Sequence, residues 1–97
     1  MKNDKHSWVR VRAAWALWRI DGQVEKAAPA LIDALRDSNP HVRRVAVLSF
    51  SEIGPLAKQF TPAVTKILQH ENQFIRESAA DALRHIDPEL ATKPVLG

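Results

Sequence analysis

The sequence contains no cysteine, and only three of its 97 residues are glycine. The absence of cysteine excludes a small domain held together by disulfides. The glycines are too few and too scattered to form a phosphate-binding loop. No apolar run approaches the roughly 18 to 20 residues that a membrane span needs, and no apolar stretch near the N-terminus is typical of a secretory signal. We therefore expect a cytoplasmic protein with no membrane partner.

The composition is that of one small soluble domain with mixed charge. Hydrophobic residues make up 45% and charged residues 26% of the chain, which is ordinary for a globular protein. The net charge is +3 and the isoelectric point is near 9.7, a value shared by many nucleic-acid binders. Acidic and basic residues are interspersed, however, and the longest basic run is Arg43-Arg44. Binding to nucleic acid is therefore permitted by the composition but not favoured.

One segment of the chain recurs three times at a spacing of 33 residues. Residues 9–20 align with 42–53 and with 75–86, and the copies share apolar, small and basic columns: Val9/Val42/Ile75, Arg10/Arg43/Arg76, Ala13/Ala46/Ala79, Ala16/Ser49/Ala82, Leu17/Phe50/Leu83 and Ile20/Ile53/Ile86. Positions 9, 13, 16, 17 and 20 lie on one face of an α-helix. The pattern predicts that this face is buried in every copy.

The rest of each copy predicts a second helix. Residues 27–35 align with 60–68 at the same spacing, each with an apolar stripe and a proline near its start. Asparagine and proline precede the second copy, and glycines follow the first and second, which is typical of helix boundaries. We expect an all-α chain with no strand and with helices near residues 7–20, 24–36, 40–53, 57–69 and 73–86.

These motifs resemble the short bacterial type of HEAT repeat. Asp4 and Asp37 occupy its opening position, from which His70 departs, and Val-Arg, Ala, Leu and Ile follow at the family spacing. The resemblance implies an α-α superhelix, or solenoid, of about five helices in a single domain over residues 1–97. Its repeats would be 4–36, 37–69 and an incomplete 70–97. Most such proteins are scaffolds or binding surfaces, some bind the DNA backbone, and phycobilin lyases carry similar repeats.

A basic ladder runs through the three copies at Arg10, Arg43 and Arg76. Because every copy has this arginine close to the apolar stripe, we expect it to bond the turns between repeats, with Asp4 and Asp37 as acceptors. The alternative is a row of guanidinium groups that holds phosphates or carboxylates.

Function in a repeat protein is expected in the columns that differ between copies. Positions 11, 15 and 18 are Val, Trp and Trp in the first copy but fully charged in the third. We therefore predict a protein-binding surface formed by Val11, Arg12, Trp15, Trp18, Arg19 and Leu48. An upstream segment, a second copy of the chain, a partner protein or local packing would each cover the tryptophans.

The sequence offers little for catalysis. The four histidines, His6, His41, His70 and His85, occupy four different columns. Asp81 and His85 are spaced to share a metal, but two ligands do not make a site. Glu77 and Asp81 are similarly spaced, yet an acid–base pair needs a pocket. We predict no catalytic residue, no cofactor and no metal site.

The leading functional hypothesis is a non-catalytic protein-interaction or scaffold module that binds a partner protein or a second copy of itself. The first alternative is binding to the phosphate backbone of nucleic acid through the variable basic residues, which are Arg12, Arg19, Arg44, Lys26, Lys58, Lys66 and Arg84. The second is a fragment or subunit of a protein related to the bilin lyases.

Overall fold

The computed structural model describes residues 4–89, and this part of the chain is helical with no strand. Five α-helices follow in order: α1 (Asp4–Asp21), α2 (Val24–Leu35), α3 (Pro40–Ile53), α4 (Thr61–Ile67) and α5 (Gln73–Ile86). A 3₁₀ helix, Gly54–Phe60, joins α3 to α4. The predicted all-α class is confirmed.

The repeat spacing reappears in the helix boundaries. Asn39 caps α3 by accepting a hydrogen bond from the His41 backbone N–H (2.8 Å), and Asn72 caps α5 by accepting one from Phe74 (2.7 Å). These caps satisfy backbone donors that have no partner inside the helix. At the other end, Gly54 follows α3 with φ of +61°, a conformation that glycine adopts without steric cost.

The helix predicted near residues 57–69 is confirmed in part. The structure has the 3₁₀ segment, which ends at Phe60, and a separate short helix that begins at Thr61. Pro62 suits the first turn of α4, because the first helical N–H groups have no intrahelical partner. The proline alone does not cause the break, since Pro29 occupies the same repeat column inside the continuous α2.

The core lies where successive helices overlap. Helix α3 packs on α1 and α2, and α5 packs on α3 and α4. The predicted apolar stripes of α3 and α5 are buried there: Val42, Ala46, Ser49, Phe50 and Ile53, then Ile75, Ala79, Ala82, Leu83 and Ile86. Each stripe is thus buried among the neighbouring helices.

In α1 the predicted buried stripe is wrong. Val9 is 63% exposed and Ile20 is 80% exposed, whereas Val11 is completely buried and Ala14 is 5% exposed. Val11 belongs to the common core and lies beside Ala34 of α2 and Val42 of α3. Helices α2 and α3 therefore cover the side of α1 that carries Val11 and Ala14.

Candidate protein-binding grooves

The first groove lies between α1 and α3 and encloses about 280 Å³. Its α1 wall is formed by Trp8, Arg12 and Trp15, and its α3 wall by Val45, Leu48 and Glu52. The three α1 residues are spaced by four and three, so they share one face of the helix. The groove is apolar in its walls and carries charge at Arg12 and Glu52.

Two arginines stack on the tryptophans of α1. The Arg12 guanidinium lies 5.5 Å from the ring centroid of Trp8, and that of Arg19 lies 4.9 Å from the ring centroid of Trp15. Arg19 also donates to both carboxylate oxygens of Glu52, at 3.2 and 3.1 Å. Arg19 therefore joins α1 to α3 and fixes the edge of the first groove.

The second groove lies between α3 and α5 and encloses about 300 Å³. Leu48, which is 53% exposed, lines both grooves and forms the ridge between them. The far wall carries Phe74, 61% exposed, together with Glu77 and Asp81. The basic residues Arg43 and Arg44 line the same groove. An apolar strip thus crosses α1, α3 and α5, with both signs of charge beside it.

The structure brings together some of the predicted binding residues and separates others. Arg12, Trp15 and Leu48 line the first groove, and Arg19 lies at its edge through Glu52. The prediction for Val11 is wrong, because a side chain with no exposed surface cannot contact a partner. Trp18 is half-buried and packs against the core. The error for Val11 follows from placing the buried side of α1 on the wrong face, and Trp18 stays a prediction.

The predicted binding residues do not include Trp8, Val45 and Glu52 of the first groove, or Phe74 of the second. The sequence carries a signal for two of them, because Trp8 and Phe74 occupy the same repeat column, with His41 between them. Val45 and Glu52 carry no distinguishing pattern, and only the packing of α3 beside α1 places them at the groove.

Two members of the arginine ladder, Arg43 and Arg76, donate hydrogen bonds to backbone carbonyls of the turns between repeats. Arg43 donates to the carbonyl oxygens of Asp37 (2.7 Å) and Ser38 (3.2 Å). Arg76 donates in the same way to the carbonyls of His70 (2.7 Å) and Glu71 (3.1 Å). Asp37 is therefore an acceptor for Arg43, as expected, through its backbone carbonyl. The side chain of Asp4 lies outside those that the structure describes.

The Asp37 carboxylate has another role, which His70 takes over in the third copy. Asp37 accepts a hydrogen bond from the Asn39 backbone N–H at 2.9 Å. His70 accepts the equivalent bond from Asn72 through Nδ1 at 3.0 Å. The departure of His70 from the repeat pattern therefore preserves the turn that precedes the helix.

Arg10 differs from the other two members of the ladder. It pairs with the Asp33 carboxylate on α2 at 3.4 Å, and both side chains are largely exposed. An exposed pair of this kind contributes little to stability. The row of guanidinium groups is therefore not uniform: two are tied to backbone turns and one lies at the surface.

Among the described residues, no group of three or more histidine, aspartate or glutamate side chains is placed to hold a metal. Asp81 pairs with Arg84. Two of the seven basic residues considered for phosphate contact, Arg19 and Arg84, are thus engaged with carboxylates.

Comparison with known proteins identifies the repeat. The family model for HEAT repeats matches residues 1–84. Searches of curated proteins and of solved structures returned no match. In residues 4–89, no helix combines the length and the apolar character required to span a membrane. The family match covers most of the chain, and its helical repeats stack as that family requires; the chain belongs to the HEAT-repeat family.

Proposed function

We propose that this chain is a non-catalytic protein-interaction module that binds a segment of a partner protein in the first groove. The observation that carries the proposal is the composition of that groove. Tryptophan and arginine are the residue types that contribute most to binding at protein interfaces, and Trp8, Arg12 and Trp15 line it together. HEAT-repeat proteins commonly act as interaction scaffolds, which agrees with this assignment.

The charges of the groove indicate the chemistry of the segment. Within the described residues Arg12 has no carboxylate partner and stacks on Trp8 instead. A partner carboxylate would therefore gain a charge-assisted hydrogen bond without breaking an existing ion pair. Leu48 and Val45 offer an apolar floor for a neighbouring aliphatic or aromatic side chain. We infer that the segment presents an apolar residue beside an aspartate or glutamate.

The test uses a photo-crosslinking amino acid in place of Leu48 in the full chain, and the same amino acid in place of Leu56 as a control. Leu56 is also a largely exposed leucine (65%), but it lies on the 3₁₀ segment outside both grooves. We expect a discrete protein adduct from position 48 that is absent from position 56. Arg12→Glu should abolish the adduct, because it repels the partner carboxylate. Identical adducts at both positions, or none at either, would contradict the proposal.

Binding to nucleic acid gains no specific support from the described residues. Non-specific contact with DNA at physiological salt typically needs about 6 to 10 phosphate contacts. Acidic side chains lie beside two of the variable basic residues, Glu52 beside Arg19 and Asp81 beside Arg84. We expect a salt titration with a random duplex to show no binding at physiological ionic strength. No observation on the described residues favours the relation to bilin lyases.

A further inference from the structure

A second apolar surface lies on α1, away from both grooves. It consists of Val9, Ala13, Ala16 and Ile20, and we call it the α1 end stripe. These residues are spaced by four, three and four and therefore share one face of the helix. Val9 and Ile20 are 63% and 80% exposed, Ala13 is exposed and Ala16 is half-buried.

In the other two repeats the equivalent stripe is buried. The residues equivalent to Val9 are Val42 and Ile75, which are 0% and 5% exposed, and those equivalent to Ile20 are Ile53 and Ile86, at 3% and 0%. In α3 and α5 this stripe is covered by neighbouring helices. The α1 end stripe thus has the side chains of a helix-packing surface, and exposed apolar patches of this kind mark interfaces.

We propose that the α1 end stripe is the interface between two copies of this chain, packed through an antiparallel pair of α1 helices. The proposal does not rest on the function assigned to the grooves, because none of the four stripe residues lines either groove. It requires only that the uncovered stripe receives a helix, as the equivalent stripes do inside the molecule.

The stripe is self-complementary in an antiparallel arrangement. About a two-fold axis level with the midpoint of residues 14 and 15, Val9 faces Ile20 of the second copy and Ala13 faces Ala16 of the second copy. Bulky side chains then meet at both ends, while alanines meet in the middle and allow the helices to approach to about 8 Å. Antiparallel helix dipoles also attract each other.

Charges at the two edges of the stripe fit the same arrangement. On one edge His6, an exposed residue near the start of α1, comes beside exposed Asp21 of the second copy. On the other edge Arg12 comes beside Arg19 of the second copy, a like-charge contact that is offset in part by the Glu52 carboxylate paired with Arg19. The charges therefore favour the arrangement on the edge of His6 and Asp21, and two-fold symmetry repeats every contact.

A head-to-tail stack of copies is less well matched. The side of α3 that meets α5 carries Arg43 and Val47. The equivalent residues of α5 are Arg76 and Ala80, preceded by Gln73, which is exposed. This side of α5 is mostly polar. Within the described residues up to 89 it offers no apolar surface comparable to the α1 end stripe, so pairing of two stripes is favoured.

The first experiment measures the mass of the full chain in solution between about 1 µM and 1 mM. We expect a dimer to form as the concentration rises. In Val9→Ser/Ile20→Ser the dissociation constant should increase by about tenfold or more, because the bulky contacts at both ends are lost. Leu56→Ser, a matched change at an exposed leucine outside the stripe, should leave the dissociation constant unchanged.

The second experiment uses the absence of cysteine in the natural chain. Mixing Ala13→Cys with Ala16→Cys chains under mild oxidation should give a disulfide-linked mixed dimer, because these positions face each other. Ala13→Cys mixed with Leu56→Cys should not. Leu48→Glu, which alters the grooves alone, should leave the crosslink intact, so failure of the groove proposal and failure of this one are separate results.

Three results would overturn the dimer proposal. The first is a monomer at every concentration, which would assign the stripe to another cover, such as residues 90–97 or an upstream segment. The second is a dimer that Val9→Ser/Ile20→Ser leaves intact. The third is equal crosslinking of Ala13→Cys with either partner position, which would show random collision instead of a defined interface.

Discussion

Helix α1 and helix α3 share one sequence pattern but bury different sides of it. In α3 the repeated stripe is buried, with Val42 and Ile53 at 0% and 3% exposure. In α1 the same columns hold Val9 and Ile20, at 63% and 80%. The difference arises because α3 packs on helices both before and after it in the chain, whereas among the described elements α1 packs mainly on α2 and α3, from the side of Val11.

The comparison separates two roles that one pattern can serve. In α3 and α5 the stripe stabilises the fold, whereas in α1 it is a surface. The same substitution should therefore destabilise the protein in the second or third copy but change its stability little in the first. Three matched pairs of variants test this, and their expected effects decrease from the first to the third.

The largest effect is expected for the isoleucine column. Ile53→Ala should lower the free energy of unfolding by about 2 to 5 kcal/mol, because it removes buried methyl groups and leaves a cavity. Ile20→Ala should change the free energy by no more than about 0.5 kcal/mol, since its side chain is largely in water. Urea denaturation at a concentration where the chain is monomeric measures both. Equal losses would contradict the comparison.

A smaller effect is expected for the alanine column. Ala46 has no exposed surface, so Ala46→Leu should overpack the core and cost about 1 to 3 kcal/mol. Ala13→Leu places the same side chain on an exposed position and should change the free energy of unfolding by less than about 0.5 kcal/mol. Thermal unfolding of the two variants provides the measurement. A stable Ala46→Leu variant would show that the inner helices are less tightly packed than described.

The smallest effect is expected for the arginine ladder. Arg43→Ala removes two hydrogen bonds from a charged donor to turn carbonyls and should cost about 1.5 kcal/mol. Arg10→Ala removes only an exposed pair with Asp33 and should cost less than about 1 kcal/mol. Urea denaturation distinguishes them. A normal melting temperature for Arg43→Ala, together with lost binding of a partner, would instead assign the ladder to ligand contact.

Much of the fold is predictable from the sequence, for specific reasons. The period of 33 residues and the helical spacing of apolar positions predict the all-α class and the buried stripes of α3 and α5. Asn39 and Asn72 mark the starts of two helices because their side chains cap backbone donors. The break before α4 was not predictable from Pro62, because Pro29 in the same repeat column lies inside the continuous helix α2.

The candidate site was less predictable, because the repeat pattern of α1 does not say which side is covered. Val9 and Val11 are both valines, and both of their stripes have helical spacing. Only the position of α2 and α3 decides that Val11 is buried. Trp15 and Leu48 were predicted as binding residues because they differ from the third copy, but Val45 and Glu52 become groove residues only when α3 lies beside α1.

The most direct test of the account is the reactivity of single cysteines placed along α1 and α3, again in a chain without natural cysteine. At concentrations where the chain is monomeric, Val9→Cys and Ile20→Cys should react with a thiol reagent as fast as an unfolded control. Val11→Cys and Val42→Cys should be protected by about a hundredfold or more, because they react only when the structure opens. Protection of Val9→Cys together with rapid reaction of Val11→Cys would contradict the account.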